Sequence, residues 1–231
     1  LSNVSFTVEP GQTAALVGPS GGGKTTAASL IPRFWDADSG TVKVGGADVS
    51  QIDAHVLMNQ VAFVFQDSRL FKASILENVR AARPDATREQ VLGARTAAQC
   101  SDILEKLPEG IDTQIGSEGT YLSGGEAQRI ALARAILKDA PIVVLDEARA
   151  FADAENELAL REGMAELLRG KTVLMIAHRL YSIRDADCIY VLDSGRLAES
   201  GTHQELLDKN GLYAHLWTIQ NETEVWQMKG G

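Results

Sequence analysis

The sequence predicts an α/β fold with a mixed, largely parallel sheet, N-terminal antiparallel β strands and a helical subdomain set into the core. Three observations carry this expectation. Short apolar runs alternate with longer helical stretches, which implies parallel pairing in a layered sheet. A glycine-rich stretch joins one of those strands to a helix. The middle of the chain, about residues 70–137, is rich in Ala, Glu, Arg and Gln with few β-branched runs, so it reads as helical.

Along the chain, residues 4–8 and 13–17 read as strands on either side of a Pro10-Gly11 turn, and residues 24–31 as a helix. Residues 40–46 alternate as a short strand with a glycine exit, and residues 61–65 form a buried strand. Pro84 and Pro108-Glu109-Gly110 punctuate the helical subdomain of about residues 70–137. Strand signals return at 142–145, 172–177 and 188–192, with a helix over 154–168. Gly195 turns the chain into 196–199, and Thr202-His203-Gln204-Glu205 has the spacing of a capping box. Residues 1–220 form the domain, and 221–231 are expected to be a polar, loosely ordered tail.

A 231-residue chain with 45% hydrophobic and 23% charged residues is long enough for one large α/β domain and too apolar for global disorder. No run of about twenty apolar residues occurs and the first residues lack a secretory start, so the domain is expected to be soluble. Cys100 and Cys188 lie far apart without metal-ligand neighbours, which points away from disulfides and zinc and toward a reducing setting. The net charge of −9 argues against a nucleic-acid footprint, which needs clustered Lys and Arg. It leaves room for a single nucleotide, held by a local nest of backbone N–H groups and one lysine.

Gly18-Pro19-Ser20-Gly21-Gly22-Gly23-Lys24-Thr25 matches G-x-x-x-x-G-K-[ST] between a strand and a helix, and Thr26 continues it. Glycines let successive N–H groups converge on phosphate oxygens, and the helix that follows aims its positive end at the same place. Lys24 would bridge the β- and γ-phosphates of ATP, and the Thr25 hydroxyl would ligate Mg²⁺. These features define a phosphate-loop NTPase core. A merely structural glycine turn would weaken the junction for no return.

The apolar run 142–145 ends in Asp146-Glu147. Alone, such a pair is usually a solvated turn. Beside a phosphate loop, Asp146 sits where a Mg²⁺-coordinating acid belongs, and Glu147 where a general base for water belongs.

Leu122-Ser123-Gly124-Gly125-Glu126 precedes a helix over 127–137. Ser123 and Glu126 have capping-box spacing, yet two glycines in a first turn cost about 1 kcal/mol each against alanine. They make sense where a γ-phosphate approaches the backbone. This segment resembles the signature motif of ATP-binding cassette proteins. Gln66 resembles the family's glutamine loop, His178 its switch histidine and Asp153 the aspartate of its D-loop. The resemblance runs over about residues 1–220.

The resemblance implies an ATPase that powers transport, with ATP sandwiched between two nucleotide-binding domains, homologous or identical, at the cytoplasmic face of a membrane. The phosphate loop, Gln66, Asp146, Glu147 and His178 of one side would face Ser123, Gly124, Gly125 and Glu126 of the other, with Asp153 at the same boundary. Gln66 would contact Mg²⁺ or water, and His178 would hold the γ-phosphate and Glu147 in register. His55, His203 and His215 are expected to be structural or solvated.

Residues 114–119, 70–75 and 201–206 look like those of exporter-type cassettes, in which a transmembrane domain precedes the cassette on the same polypeptide. That transmembrane domain and the family's adenine-stacking aromatic are expected upstream of these residues. Glu126 stands where glutamine is usual. Ala150-Phe151-Ala152-Asp153 resembles the D-loop of exporter-type cassettes that import iron–siderophore complexes, although Arg149 departs even from these. Lipid or drug export is the other expectation for cargo. A cassette that holds ATP without turnover would typically lack Glu147 or His178, and a non-transport cassette would typically carry long insertions or paired domains.

Overall fold

Nearly every strand-length apolar run and helical run becomes an element in the computed structural model, which describes residues 1–65, 69–116, 121–146 and 154–229, with 154–155 and 223–229 in backbone only. In chain order the first elements are β1 (Thr13–Val17), α1 (Lys24–Ser29), β2 (Lys43–Val44), β3 (Ala47–Asp48), α2 (Ala54–Gln60) and β4 (Val61–Val64). Helices α3 (Ile75–Arg80), α4 (Arg88–Ala97), α5 (Ser101–Glu105) and α6 (Gly124–Lys138) follow. Then come β5 (Ile142–Asp146), α7 (Ala154–Leu168), β6 (Thr172–Ile176), β7 (Cys188–Asp193), β8 (Arg196–Gly201), α8 (His203–Asp208) and α9 (Leu212–Lys229).

The main sheet has six strands in the order β4-β5-β6-β1-β7-β8, and β2 pairs antiparallel with β3 in a separate two-stranded sheet. Strand β1 lies parallel to both β6 and β7, with Leu16 opposite Ile176 on one side and Tyr190 on the other. Ala14, Ala15, Leu16 and Val17 are all buried, as a central parallel strand covered on both faces requires. Strand β8 returns antiparallel to β7 across a register shift at Val191/Leu192.

The chain divides into two compact units. The first comprises Leu1–Val61, Val144–Glu147 and Thr172–Gly231. Its core joins Ala15, Val17, Ile189 and Val191 to Leu206 and to Tyr213, which is fully buried on α9. Glu199 anchors the start of α9 by accepting N–H bonds from Leu212 at 2.7 Å and Tyr213 at 3.2 Å. The side chain of Thr202 and that of Glu205 close the expected capping box at α8.

The second unit comprises Ala62–Val143 and Ala148–Lys171, built around α6, whose Ile130, Leu132, Ala133 and Leu137 are buried. Helices α3, α4 and α7 pack against it. Capping boxes open α3 at Ser74 and α4 at Thr87 as well as α6 at Ser123. Each satisfies amides that a short helix cannot satisfy internally.

Four local expectations change. Residues 4–8 keep the alternation of a strand, with Val4, Phe6 and Val8 half-buried, but form no ladder among the described residues. The short strand expected at 40–46 is instead the hairpin β2–β3, turning at Gly45 and Gly46, both at positive φ. Helix α2 follows the N-cap Asp53, whose carboxylate accepts from the His55 and Val56 amides at 2.9 and 3.3 Å. Its lack of a clear apolar stripe hid it. Helix α9 runs on to Lys229, so the backbone of the expected tail is helical over most of its length.

Candidate functional site

The phosphate loop leaves β1 at Gly18 and enters α1 at Lys24. It is pressed against the end of β7. A Cβ on Gly18 would lie 1.9 Å from the Leu192 carbonyl oxygen, and one on Gly22 would lie 2.7 Å from the same atom. Gly18 also has φ +135°, where a side chain is strained in any case. The loop can therefore curl only as glycine. Gly195, in the β7–β8 turn, donates its N–H to the Gly22 carbonyl at 3.1 Å.

Helix α1 opens at Gly23 without a side-chain cap, so no side chain competes for its first amides. Lys24 is only 6% exposed. Its ammonium donates to the carbonyls of Gly18 and Pro19, each at 2.9 Å, and so is wrapped by the loop it serves. Burial pulls its pKa below the ordinary lysine value, and the Asp146 carboxylate acts in the opposite direction. An anion in the loop would relieve the same desolvation. Thr25 and Thr26 are exposed on the first turn.

Asp146 ends β5, after the buried Val143, Val144 and Leu145, and its electrostatic reach to Lys24 places carboxylate and phosphate loop in one unit. Among the described residues no group of three or more His, Cys, Asp or Glu could hold a metal by itself. A magnesium ion fits the donor set nonetheless. It favours a carboxylate, a hydroxyl and substrate phosphate oxygens over an all-protein cage, and Asp146 and Thr25 would supply the protein share.

His178 is exposed and follows the buried Ala177 just past β6, in the same unit. Its carbonyl accepts a hydrogen bond from Gln220 Nε2 at 2.7 Å, and the Leu180 N–H donates to Gln220 Oε1 at 2.8 Å. Gln66, Glu147, Asp153 and the residues of 148–152, Arg149 among them, lie outside the described residues, as do Ser117, Glu118 and Gly119 of the exporter-like loop.

The signature residues belong to the second unit. Ser123 caps α6: Ser123 N–H donates to Glu126 at 2.8 Å, and Glu126 N–H to Ser123 Oγ at 3.3 Å. Glu126 thus does the capping work expected of glutamine. Ser123 and Gly124 are exposed. Gly125 is buried, and a Cβ there would meet Asn156 Cγ at 3.2 Å. Packing against α7 is therefore a reason for this glycine that the sequence did not reveal. Arg129, one turn on, donates to Asp102 at 2.7 and 2.9 Å and to Asn156 at 2.7 Å.

Two other titratable side chains, His203 and Cys100, are held in the packing. His203 Nδ1 lies 2.8 Å from the Tyr213 hydroxyl, and its ring meets Trp217 edge-on. Both cysteines are free; burial pushes the Cys100 thiol up to about 12, so it is inert.

Residues 1–150 match a family model described as ABC transporter. The chain is 50% identical over 225 residues to an ATP-dependent lipid A-core flippase of Burkholderia thailandensis, covering 97% of this chain and 38% of that protein. It is 48% identical over 217 residues to the mycobactin import ATP-binding/permease protein IrtA of Mycolicibacterium smegmatis, covering 94% of this chain and 25% of that one. The solved structure of a bacterial Atm1-family ABC exporter with ATP bound superposes with a TM-score of 0.86 at 42% identity, over 94% of this chain and 38% of that one. The chain thus spans well under half the length of these relatives, and none of its described helices is long and apolar enough to cross a membrane.

Proposed function

The chain belongs to the ABC transporter family, and from that membership we propose that it is the ATP-hydrolysing engine of a membrane transporter, working at the cytoplasmic face of the membrane beside a transmembrane domain of the same transporter. Residues 1–220 are read as the ATPase domain, with a helical subdomain of about 70–137 set into it. The observation that carries the reading is the buried Lys24 ammonium, held by the carbonyls of a glycine loop and within electrostatic reach of Asp146.

On ATP arrival the Gly18–Gly23 amides and the start of α1 take the phosphates. Lys24 exchanges loop carbonyls for β- and γ-phosphate oxygens. Thr25 and Asp146, with Gln66, would hold Mg²⁺, which when bound neutralises charge on the transferred phosphoryl group. Glu147 takes the proton of the attacking water, and His178 keeps the γ-phosphate in register with it. Ser123, Gly124 and Gly125 of a second nucleotide-binding domain close over the same γ-phosphate, with Asp153 at the boundary. The exposure of Ser123 and Gly124 supports that role, because a partner's phosphate can reach them.

For cargo, the sequence Ala150-Phe151-Ala152-Asp153 favours iron–siderophore uptake. Similarity to the mycobactin importer supports it, and similarity of the same order to lipid A-core flippases supports lipid export. Membranes holding the complete transporter should accumulate a ferric siderophore when given ATP. Failure to do so, with ATP turnover intact, reassigns the cargo to a lipid or drug.

The engine itself is tested by sedimentation of Glu147→Gln with MgATP. A nucleotide-bound dimer is expected. A monomer that binds ATP and never pairs contradicts the sandwich.

A further inference from the structure

Just beyond β6 the chain leaves the sheet and turns at Arg179 into a short 3-10 turn, Leu180–Ile183, that has no side-chain cap from its own N-cap residue. Such a junction leaves backbone groups that need partners from elsewhere. One side chain supplies two of them. Gln220 donates from Nε2 to the His178 carbonyl and accepts at Oε1 from the Leu180 amide, at 2.7 and 2.8 Å. The two bonds straddle Arg179 and fix the peptide groups on both sides of it. The donor comes from 42 residues further along the chain.

The helix that carries Gln220 is itself firmly placed. Glu199 binds the Leu212 and Tyr213 amides, and a Cβ on Gly211 would lie 1.9 Å from a Glu199 carboxylate oxygen. Tyr213 is fully buried in the cluster that holds Ala177 and Leu180, the residues flanking His178 and Arg179. His178 is exposed, so burial alone does not hold its ring.

We propose that Gln220 is a positioning residue for ATP hydrolysis: its two-point clamp holds the backbone around His178 so that the ring meets the γ-phosphate. This rests on the reading of His178 as the residue that contacts that phosphate. Gln220 touches no reacting atom. Its loss should therefore lower kcat while leaving nucleotide affinity in place, because the phosphate loop that binds ATP is built separately.

The test compares steady-state hydrolysis and ATP affinity in the ATPase-active protein for Gln220→Met, His178→Ala and the double variant. Gln220→Met keeps length and apolar bulk and removes both hydrogen bonds. The expected result is a fall in kcat of about tenfold or more, with ATP Kd within about twofold, and no further loss when Gln220→Met is added to His178→Ala. Gln220→Glu, which keeps the acceptor for Leu180 and loses the donor to His178, should also slow turnover and replaces Gln220→Met if that variant does not fold. Near wild-type kcat in both Gln220 variants, with His178→Ala slow, overturns the clamp and leaves the reading of His178 standing. Equal losses from Gln220→Met with and without His178 also overturn it, since they mark a general packing role. Full activity of His178→Ala removes the reading of His178 and the clamp with it.

Discussion

Gly195 donates its backbone N–H to the carbonyl of Gly22 at 3.1 Å, so the turn between β7 and β8 props the phosphate loop from outside. The loop is thus shaped by its own glycines and by a hairpin about 170 residues away in sequence. A side chain at Gly22 has no room for a further reason, the carbonyls of Leu192 and Pro19 beside it.

Gly22→Ala should disturb the loop more than a surface glycine change would. The added Cβ would lie 2.7 Å from Leu192 O and 3.0 Å from Pro19 O, both backbone atoms that cannot simply swing away. A loss of about 1–3 kcal/mol in stability is expected from the overpacking. Thermal melting measures it, and ATP titration should show weaker binding in the same variant.

Lys24→Met removes the ammonium and keeps the stem. Charge-assisted hydrogen bonds of this kind are worth about 1.5–3 kcal/mol, so ATP affinity should fall by about ten- to a hundredfold. Fluorescent-nucleotide titration reads this directly. Stability should fall little or rise, because a buried cation is removed.

Ser123→Ala separates capping from phosphate contact. Loss of the N-cap should cost about 1 kcal/mol of stability, seen in denaturant titration. ATP binding to the monomer should be unchanged, while ATP-driven pairing of the Glu147→Gln background should be lost.

Asp102→Asn should destabilise at neutral pH by about 1–3 kcal/mol, because Arg129 is almost wholly buried and loses its carboxylate partner. The Arg129 hydrogen bond holds the Asp102 carboxyl below its ordinary value of 3.8. Its folded pKa is thus depressed, so the stabilisation is fully present above 3.8 and fades as pH falls through the lower folded value. Urea titrations of both proteins should differ at pH 7 and converge in strong acid.

Much of the candidate phosphate site is legible in the sequence because its chemistry is local. The loop from Gly18 to Thr25 and the strand ending in Asp146 each declare themselves in a few consecutive residues. What escaped is what distant segments contribute. Nothing beside Gly22 announces the Gly195 amide, nothing near His178 announces Gln220, and Gly125 gives no hint of Asn156. Periodicity located β1, β5 and α7 because buried strands and a long helix have strong patterns. It gave residues 4–8 a ladder that they do not form among the described residues, since alternation reports a half-buried face and not a partner strand. The end of α9 was misjudged because polar composition alone does not stop a helix.

The central claim is an ATPase that works as a sandwich dimer, and Mg²⁺-dependent hydrolysis as a function of protein concentration, for the chain and for Glu147→Gln, tests it most directly. Specific activity should climb with concentration, and Glu147→Gln should bind ATP without turning it over. Two proteins that both bind ATP and neither hydrolyses it at any concentration would contradict the engine and leave a nucleotide-binding domain.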